Sequence, residues 1–217
     1  MSTALVDVGA GFADGVLATQ ATFRVLLDAM ARPGRIGHLP GATLRGIEPL
    51  PSCLPGAPMS VAMAALLLTL LDAETTIGLR GSFASEAAKR WLRFHTGVKE
   101  ARPGSEAHVV VRAGELGDGA WASFDCGTDE APQRGATVLV EVDGLMATST
   151  PDSTTVRLQG PGIETTQRLA VAGVPLAFWH RRIAQQAEFP RGVDLVLVSD
   201  TGIAALPRST RIAIEAH

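Results

Sequence analysis

The chain has 217 residues, is 46% hydrophobic and 19% charged, and carries a net charge of -3 with a pI near 5.9. These totals suit one α/β domain and lack the positive charge of a nucleic-acid-binding surface, so we expect no nucleic-acid partner. The two cysteines, Cys53 and Cys126, lie far apart, which excludes thiolate zinc and iron–sulfur sites and argues against a disulfide framework.

The predicted elements begin with a loose arm over residues 1–15, and residues 16–217 are expected to form a single domain. Apolar residues spaced at i, i+3, i+4 and i+7 predict an amphipathic helix over about residues 20–30. Pro33 and Gly34 end this helix, since the residue before a proline leaves the helical region and glycine tolerates a left-handed turn. Residues 40–58 contain five prolines and are expected to form an irregular connection.

Three further helices are predicted. The first, over residues 58–71, is apolar on every face, which indicates either the core or an interface. The same run is too short to span a bilayer. Ser85 is a good N-cap for a second helix to about residue 94, with Gly97 as its stop. Pro175 opens the third, to about residue 187. The N-terminus lacks the basic flank of a signal peptide, so we expect a cytoplasmic protein with no membrane partner.

Seven strands complete the pattern, at residues 36–39, 75–79, 108–112, 136–142, 154–158, 193–199 and 210–214. Their irregular alternation with helices argues against a barrel. We therefore predict an α/β fold, a three-layer α/β/α sandwich with one mixed, mostly parallel sheet and helices on both of its faces.

Arginine dominates the basic residues, with 17 Arg against only Lys89 and Lys99. Two interpretations stay open: codon usage, or fixed bidentate contacts to carboxylate or phosphate. Neither lysine is placed like a Schiff-base nucleophile, and the histidines show no metal-ligand spacing, so we expect no cofactor and no metal. GPGIET at 160–165 has Thr where a dinucleotide-binding loop has its last glycine, which favours a plain turn.

Two arginines beside prolines are the main candidates for contacts. Arg32 lies in the last turn of the first helix, next to Pro33, and Arg208 follows Pro207. We hypothesise that Arg32 and Arg208 converge near a dimer or partner surface and pair with carboxylates such as Asp28 or Asp194. The alternative is independent, exposed arginines, because surface ion pairs contribute only about 0–1 kcal/mol.

Several segments together carry a resemblance to a known family. They are FRVLLDAMARPG (23–34), LLLTLLDAET (66–75), CGTDEAP (126–132), GPGI (160–163), FPRGVDLVL (189–197) and LPRSTR (206–211). In this order they resemble the PhnH family, the H subunits of the bacterial carbon–phosphorus lyase system. The resemblance covers nearly the whole chain, and the first and the last two segments are its most specific parts.

The resemblance implies a fold similar to the large domain of pyridoxal-phosphate transferases, without the cofactor or its lysine. It also implies a homodimer that joins the G, I and J subunits in a core complex for phosphonate catabolism. With the G, I and L proteins, such a subunit supports formation of alpha-D-ribose 1-methylphosphonate 5-triphosphate from ATP and methylphosphonate.

Two classes of function remain open: a scaffold subunit of that assembly, or a stand-alone enzyme that binds a nucleotide or phosphonate in a cleft. The resemblance assigns no catalytic residue. The motif positions that we take as candidates for an interface or a polyanion contact are Arg24, Asp28, Arg32, Gly127, Thr128, Asp194, Arg208 and Arg211.

Overall fold

The computed structural model describes residues 9–47, 59–117 and 119–215. Helix α1 (Gly15–Ala31) begins where the Asp14 side chain accepts a hydrogen bond from the Leu17 amide at 3.1 Å. It starts earlier than predicted because this N-cap adds a first turn, in which Val16 and Leu17 are exposed. Residues 1–8 of the expected arm lie outside the described residues, and the division into arm and single domain stays a prediction.

The other helices are α2 (Gly41–Leu44), α3 (Val61–Leu70), α4 (Glu86–Thr96) and α5 (Leu176–Gln185). Ser85 caps α4 by accepting from the Ala88 amide at 3.1 Å, and Gly97 ends it at φ 73°, as predicted. Ser60 caps α3 in the same way. The predicted connection over residues 40–58 contains the short helix α2, and its residues 48–58 lie outside the described part of the chain.

Eleven strands are present among the described residues: β1 (Gly37–His38), β2 (Thr76–Leu79), β3 (Lys99–Glu100), β4 (His108–Arg112), β5 (Thr137–Glu141), β6 (Gly144–Met146), β7 (Ser153–Gln159), β8 (Gln167–Ala172), β9 (Asp194–Val198), β10 (Gly202–Leu206) and β11 (Arg211–Ile214). Seven of them form one sheet in the order β1-β10-β9-β5-β4-β2-β3. In this sheet β10 runs against the other six strands. The predicted α/β fold with a mixed, mostly parallel seven-stranded sheet is confirmed.

The expectation of one sheet with helices on both faces was wrong in one respect. The other four strands form a separate antiparallel sheet in the order β11-β7-β8-β6. Helices α1, α3 and α4 cover one face of the large sheet, whereas the small sheet and α5 cover the other. The sequence pattern could not separate the two sheets, because it does not show that β11 pairs with β7 and that β7 pairs with β8 rather than with a strand of the large sheet. The likeness to pyridoxal-phosphate transferases stays a prediction.

Side chains of the central strands alternate between two hydrophobic cores. Val110, Leu139 and Val196 pack with α1, α3 and α4. The residues that precede them, such as Val109 and Val138, face the small sheet and α5. Helix α3 is buried from Ala62 to Leu67, so the all-round apolar helix lies in the core. Because the central strands β4, β5 and β9 are buried on both faces, their sequences are continuous hydrophobic runs. Among the described residues, no helix combines the length and the apolar character needed to cross a membrane.

Candidate functional site

Asp194 and Arg208 form the best-connected ion pair among the predicted site residues. Asp194 is the first residue of β9, and Arg208 lies in the loop between β10 and β11. The Arg208 guanidinium donates from Nη2 to Asp194 Oδ2 at 2.7 Å and from Nε to Oδ1 at 3.2 Å, while its backbone amide donates to Oδ1 at 2.7 Å. The side chains are 17% and 19% exposed, so the hypothesised pair is confirmed and is largely shielded from water.

The same guanidinium also fixes the loop before β5. Its Nη1 donates to the Pro132 carbonyl, and its Nη2 donates to the Gly135 carbonyl at 3.3 Å. A Cβ atom on Gly135 would lie only 2.3 Å from the Gly192 carbonyl oxygen and 2.6 Å from Arg208 Nη1, so these segments approach as closely as glycine allows. One arginine therefore holds the segments 132–135 and 207–211 against the start of β9.

Gly127 and Thr128 shape the first half of that loop. Gly127 has φ 72°, and its amide donates to Asp125 Oδ1 at 2.8 Å. The Thr128 hydroxyl accepts from the Ala131 amide at 3.0 Å. Burial raises the pKa of the Cys126 thiol, and Gln185 Nε2 lies 3.0 Å from its sulfur. The geometry favours a packed thiol over a reactive thiolate, and Gly127 and Thr128 act as turn-forming residues.

Arg182 was not predicted as a site residue. It lies on α5 beside Phe178 and Trp179 and is 1% exposed. Its Nη2 donates to the carbonyls of Pro207 and Thr210, at 3.0 and 3.3 Å. Burial lowers the pKa of Arg182 to about 10, while the charge of Asp194 acts in the opposite direction, so the guanidinium stays protonated at neutral pH. The signal in the sequence was an arginine on the apolar face of α5.

The GPGI segment forms the turn between β7 and β8, so the unfavoured dinucleotide-loop interpretation of 160–165 is wrong: no helix follows the turn. A Cβ on Gly160 would lie 3.0 Å from the Ser209 carbonyl oxygen, and one on Gly162 would lie 2.1 Å from the Ala31 carbonyl oxygen. Both glycines have positive φ. The turn therefore fits between the end of α1 and the loop that contains Arg208.

The remaining candidates on α1 form a second, more exposed group. Arg32 and Arg35 both pair with Asp28, the latter at 3.7 Å, whereas Arg24 makes no ion pair with a described residue. Side chains of Arg32 and Asp28 are 56% and 42% exposed. The hypothesis that Arg32 pairs with Asp28 is confirmed. No hydrogen bond or ion pair between described residues joins this pair to Arg208, and the convergence of Arg32 and Arg208 near a partner surface stays a prediction.

A cleft opens between the GPGI turn and the LPRSTR loop. We call it the 208–211 cleft; its volume is about 480 Å³, and it is lined by Gly160, Pro161, Gln186, Phe189, Arg208, Ser209, Thr210 and Arg211. Arg211, the last of the predicted candidates, is exposed at its edge. Gln186, Phe189, Ser209 and Thr210 were not predicted as site residues, because single polar or aromatic residues in loops carry no pattern.

The chain is similar in sequence to a known protein family. The sequence model of a family described as "Bacterial phosphonate metabolism protein (PhnH)" matches residues 10–213. The chain belongs to the PhnH family. The segments that suggested this resemblance include GPGI and LPRSTR, which line the 208–211 cleft.

Two curated relatives agree with this assignment. The chain is 34% identical over 204 residues to "Alpha-D-ribose 1-methylphosphonate 5-triphosphate synthase subunit PhnH" of Rhizobium meliloti (strain 1021), covering 94% of each protein. It is 31% identical over 196 residues to "Putative C-P lyase subunit protein HtxG" of Stutzerimonas stutzeri, covering 90% of this chain and 86% of that one. Both matches extend over the whole PhnH fold rather than over one motif.

Proposed function

We propose that this PhnH-family chain is the H subunit of a carbon–phosphorus lyase core complex. In that role it supports, with the G, I and L proteins, the formation of alpha-D-ribose 1-methylphosphonate 5-triphosphate from ATP and methylphosphonate, in the cytoplasm. Support comes from the names of both relatives and from matches that span nearly the full chain. The mixed seven-stranded sheet is in keeping with the expected likeness to pyridoxal-phosphate transferases.

Within the complex we propose a scaffold role. The observation that carries it is the use made of Arg208: its guanidinium donates to Asp194 and to the carbonyls of Pro132 and Gly135, all within the chain. Arg182 likewise donates to loop carbonyls. Guanidinium groups that donate to a carboxylate and to loop carbonyls of their own chain stabilise a shape, and a fixed shape is what a partner surface requires.

Helix α1 offers a surface for such partners. Val16, Phe23 and Leu27 recur on one face of the helix at helical spacing and are 78%, 49% and 56% exposed. An exposed apolar stripe of this kind is typical of a protein–protein contact. We propose that this stripe, flanked by the charged group at the end of α1, takes part in the homodimer or in contacts with the G, I and J subunits.

Co-purification of the tagged chain with the sibling G, I and J subunits tests the proposal. We expect a stoichiometric complex that Phe23→Ser and Arg32→Ala weaken, while Arg90→Ala, an exposed arginine on α4, leaves it intact. Because all three side chains are exposed, folding should be nearly unaffected. Turnover of ATP and methylphosphonate by the isolated chain would contradict the scaffold role and favour the stand-alone enzyme.

A further inference from the structure

The 208–211 cleft has more positive charge than its own ion pairs balance. Two of its lining residues, Arg208 and Arg211, are cationic, and none is acidic. Arg208 is neutralised by Asp194. Arg211, in contrast, forms neither an ion pair nor a side-chain hydrogen bond with any residue in the described part of the chain, and it is exposed. A free guanidinium on the edge of a concave surface offers a planar pair of donors to an oxyanion.

A third cation lies behind the wall of the cleft. Arg182 donates through Nη2 to the carbonyls of Pro207 and Thr210, on the buried side of the loop whose other side lines the cleft. No carboxylate of a described residue lies within ion-pair distance of it, and its Nε has no partner among those residues. The low dielectric around a buried charge lets its field extend into the cleft, where it favours an anion.

Neutral groups at the same place fit the remainder of a ligand. The Ser209 hydroxyl makes no hydrogen bond with a described residue and is free to donate. Phe189 also lines the cleft; it is 60% exposed and supplies an apolar surface. Nearby acids are engaged elsewhere: Glu188 and Asp129 both face Arg191, at 3.6 and 3.4 Å.

We propose that the 208–211 cleft is a binding site for a tetrahedral dianion, a phosphoryl or phosphonyl group carried by a small molecule. Arg211 and the Ser209 hydroxyl contact the oxyanion, Arg182 provides a positive field from behind the loop, and Arg208, whose charge is balanced by Asp194, is a positioning residue that holds the loop. The site adds ligand binding to the scaffold role and does not depend on it, because every group that forms it belongs to this one chain.

Titration of the purified full-length chain, followed by ³¹P NMR and calorimetry, tests the site. The probes are inorganic phosphate, methylphosphonate, tripolyphosphate and adenosine. We expect saturable binding of the three anions and none of adenosine. Arg211→Gln should weaken phosphate binding about tenfold, since it removes charge-assisted hydrogen bonds. Arg90→Gln is the matched control, an exposed arginine on α4, across the large sheet from the cleft.

The two sources of the anion are separated by the order of affinities. Tighter binding of tripolyphosphate indicates the tail of a nucleotide, and tighter binding of methylphosphonate indicates a phosphonate; either supports the site. Equal weakening by both variants, or no saturable binding of any anion, would overturn it. Arg211→Gln should still co-purify with the sibling subunits, so loss of the ligand site and loss of the assembly role are distinguishable results.

Discussion

Arg208→Met removes the guanidinium at the centre of the loops while keeping much of the aliphatic volume. Four hydrogen bonds are lost: those to Asp194 Oδ1 at 3.2 Å and Oδ2 at 2.7 Å, to the Gly135 carbonyl at 3.3 Å, and to the Pro132 carbonyl. The Asp194 carboxylate, 19% exposed, then keeps the Arg208 backbone amide as its partner. The variant therefore leaves a mostly buried charge and two carbonyls under-satisfied.

The magnitude follows from that count and from the burial. Breaking a fully buried ion pair by removing one partner costs about 3–5 kcal/mol. Here water reaches part of both side chains, and rehydration of Asp194 lowers the cost, so we expect the free energy of unfolding to fall by about 2–3 kcal/mol. Arg32→Met is the control, since its ion pair is 56% and 42% exposed and such pairs contribute about 0–1 kcal/mol.

Urea unfolding followed by tryptophan fluorescence measures the difference. For an m-value of about 2–3 kcal/mol/M, the midpoint of Arg208→Met should fall by about 1 M, and that of Arg32→Met should barely move. Equal midpoints for the two variants would show that the buried arginine contributes no more than a surface one, and would refute the reasoning. The m-value itself should stay constant, because both variants bury similar area on folding.

Two further predictions concern stability. Gly162→Ala should destabilise by at least about 2 kcal/mol more than Gly104→Ala in urea unfolding, because both have φ near 80° but only Gly162 has a backbone oxygen 2.1 Å from the new Cβ; equal losses would contradict this. Burial lowers the pKa of His108, whereas in the unfolded chain it keeps the ordinary value of 6.5. As the pH decreases below 6.5, the unfolded chain therefore binds more protons than the folded one, and the free energy of unfolding decreases. His108→Gln should flatten that decline, as measured by urea midpoints on either side of pH 6.5; an unchanged slope would exclude His108 as its source.

Much of the fold could be predicted because local chemistry decides it. The cap at Ser85 and the stop at Gly97 predict the ends of α4 to within a few residues. Strands such as β9 can be predicted from their continuous valine and leucine side chains. Strand β10, GIAAL, was missed although all five of its residues are buried. Its small side chains have weak strand preference and no alternation, so only its pairing with β9 and β1 makes it a strand.

The site was predictable only where it coincides with the family motifs. Asp28 and Asp194 were both named from the sequence as possible partners of Arg32 and Arg208, and Arg208 pairs with Asp194. Arg182 was not named, because its position on the apolar face of α5 indicates burial but does not show which loop carbonyls it contacts. The excess of arginine over lysine gains a partial explanation here, since Arg208 contacts three residues at once with a planar fork that lysine lacks.

The position of β10 has a consequence for how the protein is made. The first helix and the first strand of the chain both contact it: α1 packs against β10, and β1 pairs with it through Gly37 and Ile203. Between them, the Gly34 amide donates to the Ala205 carbonyl at 3.2 Å. During translation, the N-terminal segment therefore cannot complete its contacts with the large sheet until β10, close to the end of the chain, has been made. A nonsense codon just before residue 202 would delete the end of the chain and would also leave α1 and β1 without the strand that they contact.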